Sequence, residues 1–180
     1  TLGVLHVLAH NGEEIGSLAD LKGKTVVTTG QGANPEYIIR YLIEKNGLDP
    51  DADLSLSFKA EGGELVNVWA TQPDAILIAP QPVATTICMK NEGAKSVLDL
   101  SEEWQKVSPE SALMMGCIVV RNEFFDAHPE AVADFLTDYQ ASVAAANEDP
   151  EGTGELCESY GIVPNAKIAA KAIPACNLCY

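Results

Sequence analysis

The stretch "VVTTGQGANPEYIIRYLIEKNGLDP", Val26 to Pro50, decides the fold. Thr25 to Thr29 is a β-branched run of the kind that forms a buried strand. "GQGANP" follows, with two glycines that let backbone approach a ligand closely. Asn34 stands where a helix N-cap belongs, and Pro35 at the first helical position, where its missing N–H costs nothing. Ile38, Tyr41, Leu42 and Lys45 then share one helical face, and Gly47 closes the helix. Strand, open loop and helix in this order form the unit of an α/β layer. Free N–H groups at the helix start, with the positive end of the dipole, make the loop an acceptor-binding corner.

The loop excludes two nucleotide chemistries. A phosphate-cradling P-loop needs Lys followed by Ser or Thr after its second glycine, and Ala33 and Asn34 occupy that place. A dinucleotide fingerprint wants a third glycine where Pro35 stands. Two readings remain: a loop that contacts a small ligand, or a tight strand-to-helix turn that holds none.

Outward from this unit the pattern repeats. "LGVLHVLAH" reads as an opening strand, and "SLADLKGK" as a helical turn capped by Ser17 and closed by Gly23. "LSLSFKA" alternates Leu54, Leu56 and Phe58 as a half-buried strand does, "ELVNVWA" is a short helix, and "AILIAP" is a central strand ending at Pro80. "QPVATTICMKNEG" gives a further helix opened by Pro82, and "KSVLDL" a further strand. From Thr25 to Leu100 the alternation predicts a mostly parallel, doubly wound sheet. Beyond it, "LMMGCIVVR" reads as a long apolar strand. A helix from near Pro129 places Val132, Phe135, Leu136, Tyr139 and Val143 at helical spacing. Two more short helices follow, separated by Gly161 and Pro164. The expected organisation is an α/β lobe followed by a strand and a helical tail.

Composition bounds the partners. The 180 residues are 47% apolar, enough for a core, and a net charge of −15 with 11 Lys and Arg argues against nucleic acid or an anionic membrane. No apolar run approaches the roughly 18 residues that span a bilayer. No secretion leader is visible, as expected of a cytosolic, processed or excised chain. The five cysteines, Cys88, Cys117, Cys157, Cys176 and Cys179, are too scattered for a disulfide scaffold and read as mostly reduced, buried thiols. "CNLC" supplies one CxxC pair, but a zinc site would need two more ligands and His6, His10 and His128 lie far off in sequence, so no metal and no cofactor are expected.

In doubly wound sheets the ligand crevice lies beyond the carboxyl ends of the strands. That rule selects Thr28, Thr29, Gln31, Gly32, Ala33 and Asn34 after one strand, Glu61 and Gly62 after the next, and Pro80 and Gln81 after the third. These are hydroxyls, amides, one carboxylate and exposed backbone, without a nucleophile paired to a base. Such a crevice hydrogen-bonds a small molecule. Phe58, Trp69, Trp104 and Tyr160 are read as core or helix-face aromatics before stacking platforms, and Glu61 as a solvated loop acid before a ligand contact.

The ordered series "SLADLKGKTVVTTGQGANPEYIIRYLIEKNGLDP", "ATQPDAILIAPQPVAT", "GCIVVRNEFFDAHPEAVADFLTDYQASV" and "AIPACN" resembles the solute-binding proteins of ABC importers. Within them it is similar to the branch for nitrate, sulfonates, taurine and thiamine-precursor pyrimidines. The resemblance implies the periplasmic-binding-protein type II fold, two α/β lobes around a cleft. In it residues 1–16 are a hinge or crossing strand, 17–112 the second lobe, and 113–180 a returning strand with helices of an incomplete first lobe. It further implies an extracytoplasmic, bacterial lipoprotein that captures a small polar solute and delivers it to an ABC permease. Possible self-pairing through exposed hinge and helix surfaces is part of the same expectation. The family's N-terminal portion is missing from this chain, so the resemblance implies a fragment or a shortened product that binds its solute poorly. Where the family often has a glutamate, this sequence has Gln81, whose amide both donates and accepts and so disfavours an anionic or uncharged ligand less than a carboxylate does. An enzyme of the thiamine-pyrimidine-synthesis type, or a ligand-sensing domain of the same fold, is the alternative.

Overall fold

The computed structural model describes all residues from Thr1 to Tyr180. It divides into two compact units, Gly3–Leu113 and Thr1–Leu2 with Met114–Tyr180.

The first unit holds β1 (Leu5–His10), β2 (Thr25–Thr29), α1 (Asn34–Lys45), β3 (Ser55–Lys59), α2 (Gly62–Thr71), β4 (Ala75–Pro80), α3 (Val83–Lys90), β5 (Ala94–Asp99) and α4 (Leu100–Val107). The sheet order is β3-β2-β4-β1-β5. β2 pairs in parallel with β3, Thr25 opposite Ser55 through Thr29 opposite Lys59, and with β4, Thr25 opposite Ala75 through Val27 opposite Leu77. β1 is antiparallel to both β4 and β5. All strands but β1 therefore run the same way, and their carboxyl ends share one edge.

Local chemistry sets these bounds. α1 ends in a Schellman motif: Leu48 N–H bonds Ile43 O at 3.2 Å, and Gly47 N–H, with Gly47 at φ +80°, bonds Glu44 O at 3.0 Å. Its buried stripe is Ile38, Ile39, Leu42 and Ile43, whereas Tyr41 is half-buried and Lys45 exposed, so the apolar face lies one step from the expected one. On one face of the sheet Leu8, Val27, Leu77 and Ala79 meet Leu65, Val68 and Trp69 of α2 and Ala84 and Ile87 of α3.

His10 stacks on the Trp69 indole with ring centroids 3.6 Å apart, and its buried Nε2 has no hydrogen-bond partner. A buried polar atom without a partner costs about 1–3 kcal/mol. His10→Phe keeps the stack and removes that atom, so it is expected to raise stability by about 1 kcal/mol. Urea unfolding of the two proteins measures this, and an unchanged or lower midpoint would show that the nitrogen is not a liability.

The second unit contains α5 (Asn122–Ala127), α6 (Pro129–Glu148), α7 (Pro150–Ser159) and α8 (Ala166–Ala172). Asp149 Oδ1 caps α7 by accepting from Gly152 N–H at 2.9 Å, and Asn165 Oδ1 caps α8 by accepting from Ile168 N–H at 3.0 Å. α7 and α8 meet at Gly154, with Ile168, Ala169 and Ala172 buried beside it. α6 forms over the expected span but buries no residue fully, and Phe135 on its apolar side is 54% exposed.

The strand expected over Leu113–Val120 does not form. Met114 makes one isolated antiparallel bridge to Leu2, Met115 and Gly116 donate to Thr1 O, and Val119 is 86% exposed. An apolar β-branched run becomes a strand only where another strand completes its ladder, and none lies beside this one. The thiols also differ from expectation: none is fully buried, Cys117 and Cys179 are exposed, and partial burial, with Cys157 nearby, pushes the Cys176 thiol up.

Candidate functional site

Because β3, β2 and β4 are adjacent and parallel, the loops leaving Lys59, Thr29 and Pro80 emerge side by side. With strands about 4.8 Å apart, the three exits span about 10 Å. Thr29, Gln31, Gly32, Ala33, Asn34, Glu61, Gly62, Pro80 and Gln81 are thus brought to one edge. The antiparallel β1 adds its amino end there: Leu5 lies opposite Pro80, and Gln81 N–H bonds Val4 O at 2.9 Å.

Thr28 is at the same strand end but fully buried, and its hydroxyl donates to Ile78 O at 2.8 Å. That bond ties β2 to β4 and leaves the side chain nothing to offer outside. Thr29 is half-buried, whereas Gln31, Gly32, Ala33, Asn34 and Glu61 are exposed. Gly30 and Gly32 both need positive φ, +85° and +71°, and a Cβ at Gly30 would also lie 2.8 Å from Pro35 Cγ. At Gly62 the start of α2 packs against the start of α3: a Cβ there would lie 2.7 Å from Val83 Cγ2. Gly62→Val is therefore expected to destabilise by about 1–3 kcal/mol, seen as a lower urea midpoint, whereas an equal midpoint would mean that Val83 rotates away freely.

The helix starts are less open than the sequence suggested, because side chains take several of the amides beside them. The α1 N-cap is Ala33 and not Asn34, and Ala33 has no side-chain oxygen to cap with. Glu36 supplies the acceptor instead: its Oε2 takes Gly32 N–H at 2.7 Å, and its Oε1 takes Arg40 Nε–H at 2.9 Å. Arg40 Nη1 continues to Asp51 Oδ1 at 2.9 Å. At α2, Glu64 Oε2 accepts from Ala60 N–H at 2.8 Å and Glu61 N–H at 3.0 Å. At α3, Gln81 Oε1 accepts from Thr85 N–H at 3.3 Å and from its hydroxyl at 2.8 Å. The Thr85 N–H can only donate, so the Gln81 oxygen faces it and the Gln81 NH₂ takes no part in this contact.

The Gly32 amide, then the Arg40 guanidinium, hold the Glu36 carboxyl below the usual carboxylate range. Backbone amides at Gly16 and Ser17 do the same for Asp20, and at Asp49 for Asp53. A depressed folded-state value means stability that is present above the ordinary value near 4 and lost as pH falls through the folded one. Acid below about pH 4 is therefore expected to weaken the Gly3–Leu113 unit, and Glu36→Gln to flatten that slope. Denaturation midpoints taken against pH check this, and parallel curves for the two proteins would remove Glu36 from the account.

Sequence reasoning missed Glu36, Glu64 and Lys59. The first two carried a signal, a glutamate three residues into each helix, and Lys59 is the last residue of a strand whose register sets it opposite Thr29. The antiparallel β1 also brings His6 opposite Asp99, but it is 5% exposed, with Nδ1 3.4 Å from Ser96 Oγ. Of the aromatics, Trp69 is core, Phe58 and Trp104 are half-buried, and Tyr160 is 78% exposed. No group of three His, Cys, Asp or Glu side chains is placed to hold a metal ion, and no helix is long and apolar enough to cross a membrane.

Among solved structures, the chain is similar to the alkanesulfonate-binding protein SsuA from Xanthomonas axonopodis pv. citri bound to MOPS, with TM-score 0.67, 13% identity, and coverage of 97% of this chain and 56% of that one. It is similar to the periplasmic aliphatic sulphonate binding protein SsuA from Escherichia coli, with TM-score 0.72, 13% identity, and coverage of 97% and 55%. An ABC transporter structure from Parabacteroides distasonis gives TM-score 0.71, 17% identity, and coverage of 99% and 58%. The chain thus has the fold of these binding proteins and spans a little over half their length. No curated protein matches its sequence. The family described as NMT1/THI5 like matches residues 3–153, most of the chain, and the chain belongs to that family.

Proposed function

We propose that this chain is the solute-binding component, or part of it, of an ABC importer, and that the carboxyl edge of β3, β2 and β4 is one wall of its solute site. The observation that carries the reading is the convergence of Thr29, Gln31, Asn34, Glu61 and Gln81 on that edge in a chain whose fold is that of sulfonate-binding proteins. The groups offered are an amide NH₂, a hydroxyl, exposed loop amides and single charges. Such groups recognise a small polar solute, whether a sulfonate, nitrate or a pyrimidine, without a nucleophile poised beside a base. In this reading the whole protein works outside the cytoplasm and hands its solute to a permease. Residues 17–112 are then one lobe, entered by the crossing strand of residues 1–16, and 113–180 belong to the other.

The test is NMR titration of the chain with methanesulfonate, nitrate and a neutral aminopyrimidine. At least one solute is expected to shift the amides of Thr29, Gln31 and Gln81 together. Gln81→Glu keeps the oxygen that holds Thr85 but loses the NH₂ donors, so it is expected to weaken binding about tenfold without lowering stability. Equal affinity in Gln81→Glu, or shifts confined to the Met114–Tyr180 unit, would overturn this assignment.

A further inference from the structure

We propose that Glu36 is a specificity-determining residue of this edge, a resident anion that keeps anionic solutes out of the Gly30–Asn34 corner and leaves it to neutral and cationic ones. The proposal rests on the edge being the solute wall, as argued above on its topology and on the fold it shares with binding proteins. It goes further by fixing the charge class of the solute.

An anionic headgroup arriving at a strand-to-helix corner needs two things, N–H donors and a cation. Here one loop donor and the nearest cation are already engaged by an internal carboxylate. Gly32 N–H and Arg40 Nε–H converge on the two oxygens of one internal carboxylate, at 2.7 and 2.9 Å. Arg40 Nη1 is held by Asp51, so the Glu36–Arg40–Asp51 group carries one net negative charge. The adjacent corner repeats the device, with Glu64 on the Ala60 and Glu61 amides. Lys59 is the cation left at the edge, and it stands beside Glu61 and Glu64 in the same turn of chain. The third corner is different: Gln81 caps α3 with a neutral oxygen and leaves its NH₂ out of that contact, a donor for a carbonyl or ring nitrogen. Thr29, Gln81 and Glu61 together suit a solute that both accepts and donates, and none of them carries a positive charge to offset Glu36 for a sulfonate or carboxylate. The neutral Gln81 favours anions less than the sequence alone suggested, because the charge that decides the matter lies at the other two helix starts.

The experiment compares the wild-type chain with Glu36→Ala and Glu36→Gln, titrated at constant ionic strength with methanesulfonate, inorganic sulfate, a neutral aminopyrimidine and a primary amine. Amide resonances from Gly30 to Asn34 are the readout. In wild type, the neutral or amine solute is expected to shift these amides and methanesulfonate to leave them unmoved. In Glu36→Ala, the Gly32 and Arg40 donors face the vacated position, and methanesulfonate is expected to bind there at least about tenfold more tightly than in wild type. A folded Glu36→Ala that gains no sulfonate affinity overturns the proposal, as does a wild-type chain that binds methanesulfonate as well as the neutral solute. If Glu36→Ala does not fold, Glu36→Gln decides, because it can keep the Gly32 bond while removing the charge: a gain in sulfonate affinity supports the proposal, and none overturns it. A wild-type chain in which no solute of any charge shifts Thr29, Gln31 or Gln81 overturns the solute-wall reading itself, and the specificity claim with it.

Discussion

Replacing Gly154 with alanine is expected to cost about 3 kcal/mol or more and to loosen α7 from α8. A Cβ at this position would lie 2.5 Å from Ala166 O and 3.0 Å from Ala170 N. Both are backbone atoms of the partner helix, so no side chain can rotate to make room. The helices must separate, and the burial of Ile168, Ala169 and Ala172 goes with them. Against a typical domain stability of about 5–15 kcal/mol this is a large share. Hydrogen exchange of the α8 amides, measured beside thermal unfolding, reads the effect directly. Unchanged protection from Ile168 to Ala172 in Gly154→Ala would show that the helices shift without cost and would sink the argument.

Leu77→Ala should be comparably severe for the other unit. Leu77 is fully buried in β4, opposite Val27 on β2 and Leu8 on β1, and its face of the sheet is covered by α2 and α3. Rigid neighbours on three sides cannot collapse into the space left, so the loss is expected near the upper part of the range of about 2–5 kcal/mol for such truncations. Leu56→Ala, on the half-buried β3 at the sheet edge, is the comparison and should cost clearly less. Equal losses at the two positions would mean that the centre of the sheet is more deformable than its packing implies.

Much of the fold was legible because its signals are local. The β-branched run at Thr25–Thr29, the Pro35 start and Gly47 stop of α1, and the alternation through β5 depend on neighbours in sequence, and the elements stand close to where those signals put them. What failed depended on partners distant in sequence. Nothing in "LHVLAH" says that β1 will insert antiparallel between β4 and β5. Nothing in "GCIVV" says that its ladder will stay unpaired. At the candidate site the strand-end rule named residues that lie at the carboxyl edge of β3, β2 and β4, but which of their groups are already bonded was not legible. Thr28 looked like a donor and is spent on Ile78 O. Asn34 looked like a cap and is the first helical residue, while Glu36, from inside the helix, takes the Gly32 amide of the preceding loop. Sequence spacing names the groups near an edge, whereas which of them are already satisfied is a property of three-dimensional hydrogen bonding.

The place of β1 has a consequence in time. Its residues leave the ribosome before the other strands of the Gly3–Leu113 unit, yet its two neighbours, β4 and β5, span Ala75–Pro80 and Ala94–Asp99. β2, β3 and β4 can pair through successive right-handed crossovers as they are made, while β1 has no ladder to join until most of its unit has been synthesised. Each pairing it makes closes a long stretch of chain, a form of contact that slows folding. Within this unit β1 is thus expected to be seated after β2, β3 and β4, leaving an apolar segment uncovered on the nascent chain. Pulse-labelled hydrogen exchange should find the Val7 and Leu8 amides protected after those of Val26 and Val27.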